Sequence, residues 1–254
     1  MKKIKGLYIP AIMILFWIIG SNFQVLNPYI IPTPIRTLQV AMKVLQNGML
    51  LRHILASLNR VFLGFLIAFC LAFPSGIALG MRNRLIDYFN PTLEFIRHVP
   101  PLATVPMLIL WFGIGEKSKI VIIVLASFFP IFLNTLNGVL NCDKKLLEVG
   151  DSFGLTGFEK FCKIIFPATL PYIFIGIRLG LGYSWRALIG AELVAASSGI
   201  GYMILDAQQL SRTDVVLVGI FTIGILGSLI DLIVIKITES FTLLKEGGKS
   251  HGWN

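Results

Sequence analysis

The sequence predicts an all-α polytopic membrane protein with about six transmembrane helices, and three observations carry that prediction. Mean hydropathy is +0.81 and only 14% of residues are charged, against about 25% in a soluble domain. Apolar runs fall at about residues 7–23, 58–80, 92–113, 119–140, 168–195 and 215–237, each near the ~20 residues needed to cross ~30 Å of hydrocarbon. Lysine and arginine gather at the ends of those runs.

The elements follow in order. The start, MKKIKGLYIPAIMILFWIIGSNF, reads as a retained first span with its basic end inside, because no small-residue cleavage site follows. Residues 24–57 are too polar to cross and predict an amphipathic helix along the outer face. The third run contains HVPPLATVP, where Pro100, Pro101 and Pro106 remove backbone donors and must break or kink the helix. Small residues four apart, Gly76 and Gly80, Gly176 and Gly180, Ala187 and Ala191, Gly224 and Ser228, predict close helix contacts. The organisation is residues 1–57 as first span and extracytoplasmic amphipathic segment, 58–240 as one transmembrane domain, and 241–254 as a cytoplasmic basic tail.

Charge orients the chain. Of the 22 Lys and Arg residues, thirteen fall on one side, seven on the other, and Arg178 and Arg186 lie inside the fifth span. The richer side is the cytoplasmic one, which places both termini there. The net charge of +9 is thus a topology signal and excludes nucleic acid as a partner. Catalysis finds no support either. His53, His98 and His251 are scattered without a carboxylate or cysteine set for a metal or a triad. EGGKS at 246–250 lacks the first glycine of a phosphate loop, since residue 243 is leucine. Cys70, Cys142 and Cys162 show no paired spacing. No cofactor, metal or catalytic residue is expected, so any nucleotide is hydrolysed by another chain.

One segment departs from the apolar pattern: EVGDSFGLTGFEKFCKIIFP at 148–167. Helical apolar spacing in LLEVGDSF, turn residues Gly154 and Gly157, and a second apolar helix predict a helical hairpin leaving the membrane on the cytoplasmic side. Pro167 suits the first turn of the next helix. The tip presents Phe153 and Leu155, and apolar groups in water point to a partner. Glu148 is expected in the first turn of its helix, favoured by the dipole.

Here the sequence resembles a family. Glu148, Val149, Gly150, three residues, Gly154, nine residues, Ile164, one residue, Phe166 and Pro167 resemble the EAA-x3-G-x9-I-x-L-P motif of ATP-binding cassette importer permeases. Val149 and Gly150 stand for the two alanines and Phe166 for leucine. HILASLNRVFLGFLIAF at 53–69, PPLATVPMLILWFGIGEKSKI at 100–120 and GIRLGLGYSWRALIGAELVAASSGIGYMI at 176–204 look like the nitrate, sulfonate and taurine branch, and the similarity covers roughly residues 50–240. The resemblance implies a type I ABC importer permease fold in a bacterial inner membrane, a permease homodimer in membrane lipid, two cytoplasmic ABC ATPase subunits and an extracytoplasmic substrate-binding protein. It makes 146–160 the coupling helix that docks on the ATPase, with Glu148, Val149, Gly150, Phe153, Gly154, Leu155, Ile164 and Pro167 as coupling residues. The function it implies is translocation of a small solute, an aliphatic sulfonate, taurine or nitrate-like anion, by alternating access.

Charges within a span face protein or water. Arg186, read as the charge nearest mid-span, together with Glu192, Ser184 and the break at Pro100 and Pro101, are therefore candidates for the translocation path. An interhelical ion pair is the competing role for Arg186 and Glu192. The same architecture also serves a thiamine-pyrimidine precursor. An ion-coupled secondary transporter would need paired interrupted half-repeats with mid-membrane carboxylates, and Glu192 and Asp231 do not form one.

Overall fold

In the computed structural model, which describes residues 8–23, 25 and 27–247, every regular element is helical. In chain order they are α1 (Tyr8–Asn22), α2 (Pro34–Gln46), α3 (Met49–Gly80), α4 (Asn83–Arg97), a 3₁₀ turn (Pro101–Thr104), α5 (Val105–Phe112), α6 (Glu116–Leu140), α7 (Lys144–Ser152), α8 (Gly157–Lys160), a π turn (Phe161–Ile165), α9 (Phe166–Ala195), α10 (Ile200–Gln209) and α11 (Thr213–Gly247). The basic start at Lys2 to Lys5 and the tail beyond residue 247 lie outside the described residues.

Among the described residues four helical runs are long and apolar enough to cross a membrane: Met49–Gly80, Glu116–Leu140, Gly157–Val194 and Thr213–Glu239. The third expected span is two pieces, Leu85–Arg97 and Pro101–Phe112, bent by 77°. Pro100 heads the 3₁₀ turn in extended backbone and Pro101 follows in its first position, so two successive residues offer no amide and the helix cannot run on. Counted as one span, the pair makes five. The 15 described residues of α1 rise about 22 Å.

Two boundaries differ from the sequence reading. The amphipathic helix is confined to α2, capped by the Thr33 hydroxyl, which accepts from the Arg36 amide at 3.2 Å. After a turn at Asn47 and Gly48, α3 starts at Met49 and passes unbroken through residues 57 and 58, because the apolar spacing of MLLRHILASL is already helical. α11 likewise runs to Gly247, past the expected start of the tail.

The chain divides into two units, Met1–Ser57 with Ala196–Ile225 and Leu58–Ala195 with Leu226–Asn254. In the first, Trp17 stacks on Phe221 at 5.9 Å and its indole donates to the Pro32 carbonyl at 3.1 Å. Arg36 pairs with Asp214 at 3.2 Å. The amides opening α10 are capped from α3: Gly199 donates to His53 Nδ1 and Ile200 to Ser57 Oγ, both at 3.0 Å. Because Nδ1 accepts here, the imidazole proton sits on Nε2.

In the second unit α6 is the central post. A Cβ at Gly76 or Gly80 of α3 would lie within 2.9 Å of Phe132 and Thr135 or of Val139, and one at Gly180 of α9 within 2.9 Å of Ile131, so the small residues set both helix contacts as expected. Ala187 and Ala191 are buried against Ile122, Ala126, Val105 and Leu108. The fourth pair behaves differently: Gly224 has nothing within 4 Å of a built Cβ, and Ser228 lines a groove.

Candidate functional site

The segment that interrupts the apolar pattern forms the hairpin. Asp143 caps α7, its carboxylate accepting from the Lys145 amide at 2.9 Å. Glu148 is therefore not in the first turn but in the middle of α7, exposed, and the charge that meets the helix dipole is Asp143. α7 ends on Gly154 at φ +69°. The Leu155 amide donates back to Gly150 O at 3.0 Å and the Gly154 amide to Asp151 O at 2.9 Å, the paired bonds of a Schellman ending, which wants glycine at the left-handed position. Gly157 has no positive φ. It opens α8 behind a capping box in which the Thr156 hydroxyl accepts from the Glu159 amide and the Glu159 carboxylate accepts from the Thr156 amide.

The two arms touch at Gly150, where a Cβ would lie 2.8 Å from Ile164 Cδ1 and 3.3 Å from Lys160 Cγ. Lys160 also pairs with Asp151 at 2.6 Å. Leu155, expected at the tip, instead turns inward, half-buried, its Cδ1 3.5 Å from that Cβ position. The apolar groups left in the open are Phe153, 80% exposed, Phe158, 75% exposed, and Val149. Phe158 was missed because helical periodicity cannot assign a face within a four-residue helix. Before Pro167 the chain widens into the π turn, the Phe166 amide donating to Phe161 O. Helix therefore continues across Pro167 into α9 instead of restarting there.

The charged candidates separate into two places. Glu192, wholly buried, accepts from Arg60 Nη1 at 2.6 Å. Arg60 places Nε and Nη2 on the two oxygens of Glu116 at 2.6 and 2.8 Å, and Lys119 donates to Glu116 at 2.9 Å. Arg60 and Lys119, which the sequence put among flanking charges, are 3% and 2% exposed. One guanidinium and one ammonium thus face two carboxylates. Ser184 is also buried and bonded to Ser127. Pro100 and Pro101 stay at the helix break.

The second place is a groove of about 580 Å³ walled by α9 and α11, with Arg178, Gly182, Tyr183, Arg186, Ser228 and Asp231 in its lining. Arg178 Nε and Nη2 donate to the two oxygens of Asp231 at 2.7 and 2.9 Å. Arg178, not Arg186, is the charge nearer the middle of α9. Arg186 is exposed, its guanidinium 5.8 Å from the Tyr183 ring centre. Among the described residues no group of three or more His, Cys, Asp or Glu converges as for a metal, and the three cysteines are unpaired.

Comparison with known proteins identifies the family. Residues 61–238 match the family model described as binding-protein-dependent transport system inner membrane component. The chain is 41% identical over 242 residues, 95% of its length and 85% of the relative's, to the putative aliphatic sulfonates transport permease protein SsuC of Bacillus subtilis strain 168. It is 35% identical to the taurine transport system permease protein TauC of Escherichia coli K12, over 87% of this chain and 82% of that one. It is 30% identical to the nitrate import permease protein NrtB of a Synechocystis strain, over 91% and 86%. In fold it superposes on a chain of the inward-facing MetNI methionine ABC transporter with TM-score 0.63 at 18% identity, covering 75% of this chain and 95% of that one. The chain thus belongs to the family of binding-protein-dependent transport system inner membrane components, the permeases of ABC importers.

Proposed function

We propose that this permease carries a small sulfonate- or nitrate-like anion across the bacterial inner membrane by alternating access, driven by two copies of a separate ATPase that grip the hairpins of a permease homodimer. An extracytoplasmic binding protein delivers the solute, and both termini and the hairpin lie on the cytoplasmic side. The substrate class rests on relatives named for aliphatic sulfonates, taurine and nitrate. The observation that carries the coupling role is the hairpin. Its arms are fixed to each other by the Schellman ending, the contact at Gly150 and the Lys160–Asp151 pair, while Phe153, Phe158 and Val149 are left uncovered. A rigid element with an apolar outer face transmits force to a docked partner. In this reading Glu192 and Ser184 hold helices together, and the path runs past Arg186.

Gly154→Val tests the lever. A side chain at φ +69° costs roughly 1–2 kcal/mol, more when β-branched, and the space around Gly154 is open, so the strain is purely of backbone. The variant is expected to insert at normal levels and lose most ATP-driven uptake of taurine, ethanesulfonate or nitrate in proteoliposomes holding the whole importer. Uptake at the unmodified rate removes the hairpin from the mechanism.

A further inference from the structure

The groove between α9 and α11 holds its ion pair at an unusual depth. Arg178 and Asp231 sit near the middle of α9 and α11, yet their side chains remain 50% and 46% exposed. Ionised groups at that depth must face protein or water, because lipid does not solvate them. The groove is also built open: a Cβ at Gly182 meets nothing within 4 Å, and Ser228 stands exposed opposite. Its charge count is uneven. Arg178 and Asp231 cancel through two parallel hydrogen bonds, whereas Arg186 has the face of Tyr183 and no carboxylate among the described residues. One positive charge is left over.

We infer that this groove is a water-filled anion site in which Arg186 receives the single negative charge of a monovalent oxyanion. Its planar donor fork matches the paired oxygens that a sulfonate or a nitrate presents. Asp231 is a positioning residue: by occupying Arg178 it holds the groove at one net charge, enough to admit a monovalent anion and too little to trap a divalent one. This rests on the proposal that the permease carries small anions.

The test uses Ser228→Cys in the complete importer, with the exposed Cys70 and Cys162 replaced by serine. Two thiol reagents of similar size are compared, sulfonatoethyl methanethiosulfonate, itself a sulfonate, and its trimethylammonium counterpart. Both react only with a hydrated thiolate. Relative to their rate ratio on free 2-mercaptoethanol, which already contains the thiolate's own attraction for the cationic reagent, the sulfonate reagent is expected to gain about tenfold, the factor one unit charge gives when it attracts one reagent and repels the other across a few ångströms of water. Excess ethanesulfonate slows it. Arg186→Gln abolishes the preference, Arg186→Lys keeps it, and Asp231→Asn, by freeing Arg178, raises it severalfold. Absence of labelling by both reagents, or an unchanged preference in Arg186→Gln, overturns the site. ATP-driven uptake measured on the same preparations separates the two readings: uptake without labelling refutes the groove alone, and labelling without uptake of taurine, ethanesulfonate or nitrate refutes the transport assignment.

Discussion

Replacing Arg60 by leucine is expected to destabilise the permease more than any single carboxylate change around it, and the hydrogen bonds say by how much. Arg60 makes three charge-assisted bonds, two to Glu116 and one to Glu192, each worth about 1.5–3 kcal/mol. Its removal also takes the neutralising guanidinium from Glu192, which is wholly buried. Breaking a buried pair from one side costs about 3–5 kcal/mol. Glu192→Gln is milder, about 1–3 kcal/mol, because Arg60 keeps its two bonds to Glu116 and the amide keeps an oxygen for Nη1. The double change Arg60→Leu with Glu192→Leu removes both charges and leaves Glu116 paired with Lys119. Hydrophobic replacement of a buried pair is often neutral, so the double variant should recover to within about 2 kcal/mol of the unmodified protein. Equilibrium unfolding in mixed micelles against rising dodecyl sulfate measures all three. The reasoning fails if the double variant costs the sum of the singles, or if Glu192→Gln abolishes uptake at unchanged stability, which would put Glu192 in the path.

Three further outcomes are expected. At Gly150, alanine displaces Ile164 Cδ1 and shifts Lys160 Cγ by a few tenths of an ångström, both on flexible side chains, and ATPase co-purification stays within about twofold; the larger, β-branched valine parts the arms and lowers it. Thr135 is wholly buried and its hydroxyl has no partner among the described residues, so the isosteric Thr135→Val should raise stability by about 1 kcal/mol; a fall in thermal midpoint refutes this. His53→Ala removes the acceptor for the Gly199 amide, and hydrogen exchange at residues 199–201 should quicken about tenfold, the equivalent of one lost hydrogen bond, with the hairpin unchanged.

What the sequence made legible was local. The apolar runs reported membrane helices because composition within one helix decides that, and the proline cluster reported its break because a missing amide acts on its own turn. Gly154 was identifiable because only glycine takes a left-handed position without strain. Pairings set by packing were not legible. Arg60 and Glu192 lie 132 residues apart and Arg178 and Asp231 lie 53 apart, and no periodicity within a helix registers a partner on another. The spacing of Glu116 and Lys119, three apart on one helix, was the single readable trace of the buried cluster. The His53 cap on α10 escaped for the same reason.

The departures from the family motif acquire a physical account from the same geometry. At Gly150 the second alanine of the motif is missing where the arms come within 2.8 Å of a built Cβ, so the glycine closes the hairpin against Ile164 by the width of a methyl group. Val149, in place of the first alanine, points outward and enlarges the uncovered apolar face. Phe166, in place of leucine, packs edge-on against Phe73 of α3 at 6.5 Å and beside Phe161 at 6.0 Å. Its amide closes the π turn, which carries helical hydrogen bonding up to Pro167. An aromatic side chain there anchors the hairpin's second arm to a membrane-crossing helix over a larger area than leucine offers. The three substitutions thus give a tighter hairpin, a larger uncovered apolar face and a firmer root on α3.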